Sequence, residues 1–375
     1  MLRLGFGNFA HYGTDRSCIG SADRIRITPT AILAGVVALS IAAYFWIDSR
    51  YPALLKKEQA GKAIHLSGNL SFDALLPVTP QMPLLTRVGY TAIDWAWTNR
   101  IGMTFGVFFG AAMLTFLAFL PRRRFVGEFS NTALGALIGT PLGVCANCVA
   151  PIGRGIIQAG ASPATMLATM ISSPTLNVVV LVMAFTLLPP PIAIARLAAP
   201  LVLLALVPLL VRGKNSASEE LVSGAICSIN VPIGLTWQES LLRLVRAYFA
   251  NLGRLALATV PWMILAGLLG ALVVELIPAQ SLPAQVTVPG IVAVALLGTF
   301  APVPIAFDVA LGWILLSRGV PAPYVATLVC TLGAFSIYPF FIVGRSLSWR
   351  IALRVFAAVV SVGVLAGLAT MLIHS

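Results

Sequence analysis

Cys145 and Cys148 stand with two residues between them in an apolar stretch, flanking Asn147 and followed by Pro151. A cysteine pair at this spacing binds a soft metal or metalloid as thiolates, or cycles between dithiol and disulfide; buried cysteine is also an ordinary small apolar filler. Ser173, Pro174 and Asn177 mark a second interruption further along. There Pro174 removes an amide donor and frees a carbonyl, leaving the hydroxyl and the Asn177 amide to satisfy neighbours or a ligand. Repair of broken helices alone is the plainer role for these polar groups. Two charges lie in the same apolar setting, Arg154 and Asp308. Ionisable groups at membrane depth are costly and usually face a cavity or a partner, so Asp308 is a candidate carrier of a coupling proton or a partner for Arg154. A structural ion pair or snorkelling to the interface is the competing reading. Cys330 aligns with the first region in a way that makes it a candidate third thiol. Arg318 and Glu275, near the ends of apolar runs, are expected at the headgroups.

These residues must be positioned by elements that live in lipid. The chain has 375 residues, 59% hydrophobic and 10% charged, and a mean hydropathy of +0.95. Soluble domains carry about a quarter charged residues. Apolar runs of roughly 20 residues recur, each long enough to cross a hydrocarbon core about 30 Å thick. The formal charge of +12 sits as arginine clusters between those runs, where it sets orientation, so no nucleic acid partner is expected. Five cysteines are too few and too scattered for a disulfide framework and are read as free thiols. A complete zinc site is not expected, since no histidine lies near the pair.

Residues 1–28 carry four arginines but no apolar core with a cleavage site, which suits a cytoplasmic tail rather than a removable signal peptide. Residues 29–375 are expected to form one membrane domain. Spans are read at about 30–47, 101–120, 192–211, 255–277 and 351–373, with an extramembrane loop at 48–83. An aromatic segment, 84–97, with Tyr90, Trp95 and Trp97, suits the headgroup level, and a basic amphipathic segment covers 237–254. Repeat one is taken as about 84–190, followed by a linking span (192–211) and a loop (212–236). Repeat two is about 237–345, and a final span is 349–373.

The two interrupted regions are copies of each other. Placing Gly139 over Gly298 without a gap also matches Ala136 with Ala295, Thr140 with Thr299, Val144 with Val303, Gly153 with Gly312 and Gly160 with Gly319. Arg122 to Arg124 follow the leading span of the first copy, whereas residues 278–289 carry no charge, so the copies are expected to be inverted. Gly and Pro leave helical pieces too short to span, which suggests hairpins that enter and leave on one side. The predicted fold is an all-α polytopic membrane protein with an inverted internal repeat, two re-entrant hairpins, discontinuous helices and about seven spans. The C-terminus would then lie outside.

The stretch from Cys145 to Pro151, followed by Gly160, Ala161 and Ser162 and then Ser173, Pro174, Thr175, Leu176 and Asn177, resembles the predicted permease family that includes the organoarsenical efflux permeases. The resemblance covers roughly residues 101–344 and implies transport through a site that includes Cys145, Pro151, Pro174 and Asn177. One departure stands out. The family commonly shows Cys-x-Cys before the proline, whereas here Asn147 takes the second position and Cys148 stands where glycine is usual.

The expected function is a secondary transporter or facilitator in the inner (plasma) membrane, N-terminus cytoplasmic. Its cargo would be a small solute, with thiophilic metalloids or organoarsenicals as candidates. The substrate-binding set is Cys145, Asn147, Cys148, Pro151, Arg154, Ser173, Pro174, Asn177 and Asp308, with Cys145 and Cys148 as the candidate metal ligands. Expected partners are the lipid bilayer, that substrate and a coupling proton, and a homo-oligomer is compatible with the pattern; no cofactor is expected. A membrane-embedded thiol oxidoreductase using Cys145 and Cys148 is the alternative, and a scaffold without cargo is a third reading. No Gly-x-x-x-x-Gly-Lys-Ser/Thr loop supports a nucleotide-driven pump. Enzyme activity is not expected, because His11, His65 and His374 all lie outside the interrupted core.

Overall fold

The computed structural model describes residues 29–52, 55, 75–79, 81–119, 127–212, 236–276 and 285–374. The expected N-terminal tail, Arg122 to Arg124, most of the 48–83 and 212–236 loops, and residues 277–284 lie outside the described residues. Among the described residues every regular element is a helix. In chain order these are α1 (Pro29–Phe45), prolonged by one wide turn at Trp46–Arg50, α2 (Leu84–Ala118), α3 (Glu128–Leu142), α4 (Ala146–Gln158), α5 (Pro163–Thr175), α6 (Val178–Leu187) and α7 (Pro190–Leu210). The second half holds α8 (Trp237–Leu276), α9 (Val288–Phe300), α10 (Phe307–Ser317), α11 (Ala322–Thr331), α12 (Ile337–Ser346) and α13 (Trp349–His374).

Helices are what such a sequence must form, because in lipid every amide and carbonyl has to be satisfied within its own segment. Five of them, α1 with its extension, α2, α7, α8 and α13, are long and apolar enough to cross a membrane. The pair α5 and α6 is bent by 43° and makes either a sixth, broken span or a re-entrant loop. Large apolar side chains face outward along these helices, Leu39, Leu257, Leu353 and Leu372 among them. That outer surface suits hydrocarbon rather than water.

Two separations drawn from the sequence disappear. The aromatic segment 84–97 runs without interruption into the following span as α2, 35 residues long, and the basic segment 237–254 runs into its span as α8, 40 residues long. Aromatic and arginine-rich sequence is helix-compatible, and no proline separates either pair of segments, so nothing stops the backbone ladder.

The interruptions, by contrast, fall where glycine and proline place them. Gly143 ends α3 with φ +58°, a left-handed conformation that a Cβ disfavours. Ser162 caps α5 by accepting from the Thr165 amide, with Pro163 at the first helical position. Each half then shows the same succession: one long helix, four short ones, one long helix. Equivalent helices start at constant spacing, Pro163 with Ala322, Val178 with Ile337 and Pro190 with Trp349.

Packing repeats with the sequence of elements. Helix α3 lies on α5 as α9 lies on α11, α5 on α7 as α11 on α13, and α3 on α7 as α9 on α13. Across the halves, α4 meets α12 and α10 meets α6, while α2 meets α8 and α7 meets α13. These are the contacts that exchanging the two halves would reproduce. Departures also occur. Helix α4 is held by both α2 and α8, and α1 covers these two long helices without a counterpart.

The principal core surrounds α4 and α5, where Val149, Ile152, Met166 and Ala168 are fully buried with Val355 and Val359 of α13. Helix α2 reaches α4 at Gly106, where an added Cβ would strike the Cys148 carbonyl oxygen. Gly106→Ala is therefore expected to push two backbones apart and cost about 1–2 kcal/mol, read as a lower midpoint of SDS-induced unfolding in mixed micelles.

Candidate functional site

The four interruptions converge at the seam between the halves. The first, residues 143–145, is tied to the second through Ser173, whose hydroxyl lies 3.3 Å from the Val144 amide and 3.4 Å from its carbonyl. Asn147, in the first turn of α4, reaches the opposite half twice. Its Nδ2 donates to the Val303 carbonyl at 3.4 Å, and its Oδ1 accepts from the Ser336 hydroxyl at 2.7 Å. Val303 belongs to the interruption between α9 and α10, and Ser336 precedes α12. Val144, Asn147, Ser173, Val303 and Ser336 are all buried, so this side chain ties the first turn of α4 to two non-helical segments of the opposite half, out of reach of solvent and lipid. Backbone of that kind is tolerated at membrane depth only in such a setting.

The remaining polar groups repair the helices. Asn177 caps α6, accepting from the Val180 amide while its Nδ2 donates to the Ser173 and Pro174 carbonyls. The Thr175 hydroxyl donates to the Ile171 carbonyl at 2.5 Å. Pro151 sits inside α4 and Pro174 inside α5, each removing one ladder amide. Trp95, expected at the headgroups, is buried, and its indole donates to the Pro302 carbonyl at 2.7 Å. Trp46 does the same for Pro141 at 2.7 Å.

The cysteines differ from expectation. Cys145 and Cys148 are joined as a disulfide, whereas free thiols were expected; their Cα atoms are 5.0 Å apart. The physical reason is local. Cys145 is the N-cap of α4 and Cys148 lies three residues on, a separation within disulfide reach. In this form neither sulfur offers a thiolate to a metal, and among the described residues no group of three or more His, Cys, Asp or Glu side chains could hold one. Cys330 is free and buried, within electrostatic reach of Arg196 and Asp308.

The embedded charges are also partnered differently. Asp308 does not pair with Arg154. It faces Arg196 of α7, whose Nε and Nη2 each lie 2.8 Å from Asp308 Oδ2, with both side chains 1% exposed. Arg154 is half-buried and donates to the Ala258 carbonyl on α8 at 3.4 Å. Glu275, expected at the headgroups, is buried instead, accepting from Arg87 at 2.7 Å and from the Thr91 hydroxyl at 2.7 Å. The reason is the length of α2, which carries Arg87 and Thr91 alongside the end of α8. Arg318 is exposed just past the end of α10.

Of the nine candidate residues, the structure gathers Asn147, Cys145, Cys148 and Ser173 around the first interruption, places Asn177 at the second, and leaves Arg154 toward α8. Asp308 stands on the α7 side of the second half. Sequence reasoning missed Arg196 and Ser336. An arginine six residues into a proline-flanked apolar run was a visible signal for Arg196; Ser336 carried none. Searches against protein-family models, curated proteins and solved structures return no match.

Proposed function

We propose that the chain is a multi-pass membrane permease, a secondary transporter or facilitator, that moves a small solute through a midplane site between two inverted repeats of broken helices. The observation that carries this reading is the convergence of all four interruptions on Val144 and Asn147 at the seam of two halves built from the same succession of helices. Opposite senses are supported by Arg122 to Arg124 following α2 in sequence, against the uncharged residues 278–289 following α8. The membrane is the inner (plasma) membrane, with the N-terminus cytoplasmic.

The cargo proposed is a thiophilic metalloid or organoarsenical, which requires the Cys145–Cys148 disulfide to be reduced first. Everted vesicles treated with a membrane-permeant reductant are expected to accumulate trivalent methylarsenical, and Cys145→Ser or Cys148→Ser to lower the rate at least ~10-fold at equal protein level. Equal rates in the intact protein and both variants would remove the thiols from the path, and no accumulation by the intact protein would remove the arsenical. The disulfide itself favours a second reading, a membrane-embedded thiol oxidoreductase. Thiol titration before and after a quinone challenge of the reduced protein tests it. Thiols that stay reduced count against that reading.

A further inference from the structure

Arg196 uses only part of its hydrogen-bonding capacity. A guanidinium presents two forks, one formed by Nε with one terminal nitrogen and the other by the two terminal nitrogens together. Asp308 meets the first through a single oxygen, Oδ2, which lies 2.8 Å from both Nε and Nη2. The other fork is unmet: Nη1 has no hydrogen-bond partner among the described residues, and Nη2 has only its charge contact with Asp308. The side chain is 1% exposed, so these donors lie out of reach of bulk water. Leaving charged donors unmet in such a place costs more than the roughly 1–3 kcal/mol of a neutral group.

The surroundings select the sign and size of what would meet that fork. Asp308, one carboxylate oxygen already engaged, is the acidic group paired with Arg196, and Cys330 lies within electrostatic reach of this ion pair. Helices α7, α10 and α11 also contribute Ala193, Ala310 and Val329 to one buried apolar cluster. Helix α7 belongs to the first half and α10 and α11 to the second, and α7 packs on α11.

We propose that Arg196 is an oxyanion-recognition residue at the seam, taking a small carboxylate, phosphate or sulfate group end-on through Nη1 and Nη2 while Asp308 holds the side fork. The inference rests on the permease reading for its location in a transport path, but its chemistry stands on the unmet fork alone. A bidentate oxyanion supplies two parallel acceptors at the spacing of the two terminal nitrogens. A lysine, with one compact ammonium, keeps the ion pair with Asp308 and cannot make that fork.

The test uses purified full-length protein in detergent at constant ionic strength, with chloride replaced stepwise by sulfate, inorganic phosphate or acetate. The intact protein is expected to show a saturable rise of its thermal unfolding midpoint with at least one of these probes. Arg196→Lys is expected to need at least ~10-fold more of that probe for half-saturation, which separates binding from the general stabilisation that excluded salts give any protein. In Asp308→Asn the same probe is expected to half-saturate at lower concentration, because the competing carboxylate is gone. That variant keeps the inference falsifiable where Arg196→Lys fails to fold. No saturable rise with any probe, or identical curves for the intact protein and Arg196→Lys, overturns the proposal and assigns the free donors to water. Flux of the effective probe in proteoliposomes then separates the two readings. Binding without flux of either the probe or trivalent methylarsenical leaves the oxyanion site standing and sinks the permease, whereas methylarsenical flux in a protein that shows no saturable probe binding sinks the oxyanion site alone.

Discussion

Replacing Asp308 by leucine is expected to destabilise the protein by about 3–5 kcal/mol, the range for stranding one member of a buried ion pair. Arg196 is left fully buried without its carboxylate partner. The reverse substitution, Arg196→Leu, is expected to fall in the same range, since it strands the equally buried Asp308. The double substitution removes both charges and is expected to recover most of the loss, as apolar replacements of buried ion pairs commonly do. SDS titrations of the three variants in mixed micelles check the order. A double variant no more stable than Asp308→Leu would show that the side chains serve packing rather than each other's charge.

Asn147→Leu is expected to cost about 2–3 kcal/mol. The substitution roughly preserves volume but leaves the Val303 carbonyl and the Ser336 hydroxyl buried without this partner. Interhelical hydrogen bonds in membranes average below 1 kcal/mol, so the larger figure reflects two orphaned groups rather than one strong bond. Ser336→Ala alone is expected to cost about 1 kcal/mol, and the double variant less than the sum of the singles. Full additivity would mean that the short contact between Asn147 and Ser336 contributes no coupling. The measurement also bears on the proposed path, because this side chain ties the first half to two interruptions of the second.

The long spans and the places where helices stop were legible in the sequence, because both depend on local chemistry. An apolar run of sufficient length suits a span, and Gly143, Gly160 and Pro174 act on the backbone within a turn of themselves, whereas α4 runs on through Pro151. What failed depends on distant partners. Trp95 reads as an interfacial aromatic until the Pro302 carbonyl is seen beside it, and Glu275 reads as a span end until Arg87 is placed alongside. The pairing of Asp308 with Arg196 rather than Arg154 follows from α7 crossing to the second half, which no periodicity announces. The cysteine pair is a different case. Its spacing is equally compatible with two thiols and with one disulfide, and only the N-cap geometry of α4 decides.

The lengths of α2 and α8 have one more implication. At 1.5 Å per residue they run roughly 52 and 60 Å, far beyond the ~30 Å of hydrocarbon that even a tilt of about 40° lets a helix use up. Packed together, these two continuous helices therefore act as shafts whose outer portions project into the headgroups and water. Under the permease proposal, a rocking motion at the seam would be amplified toward the shaft ends, so a pair of spin labels placed there would report on the buried centre without touching it.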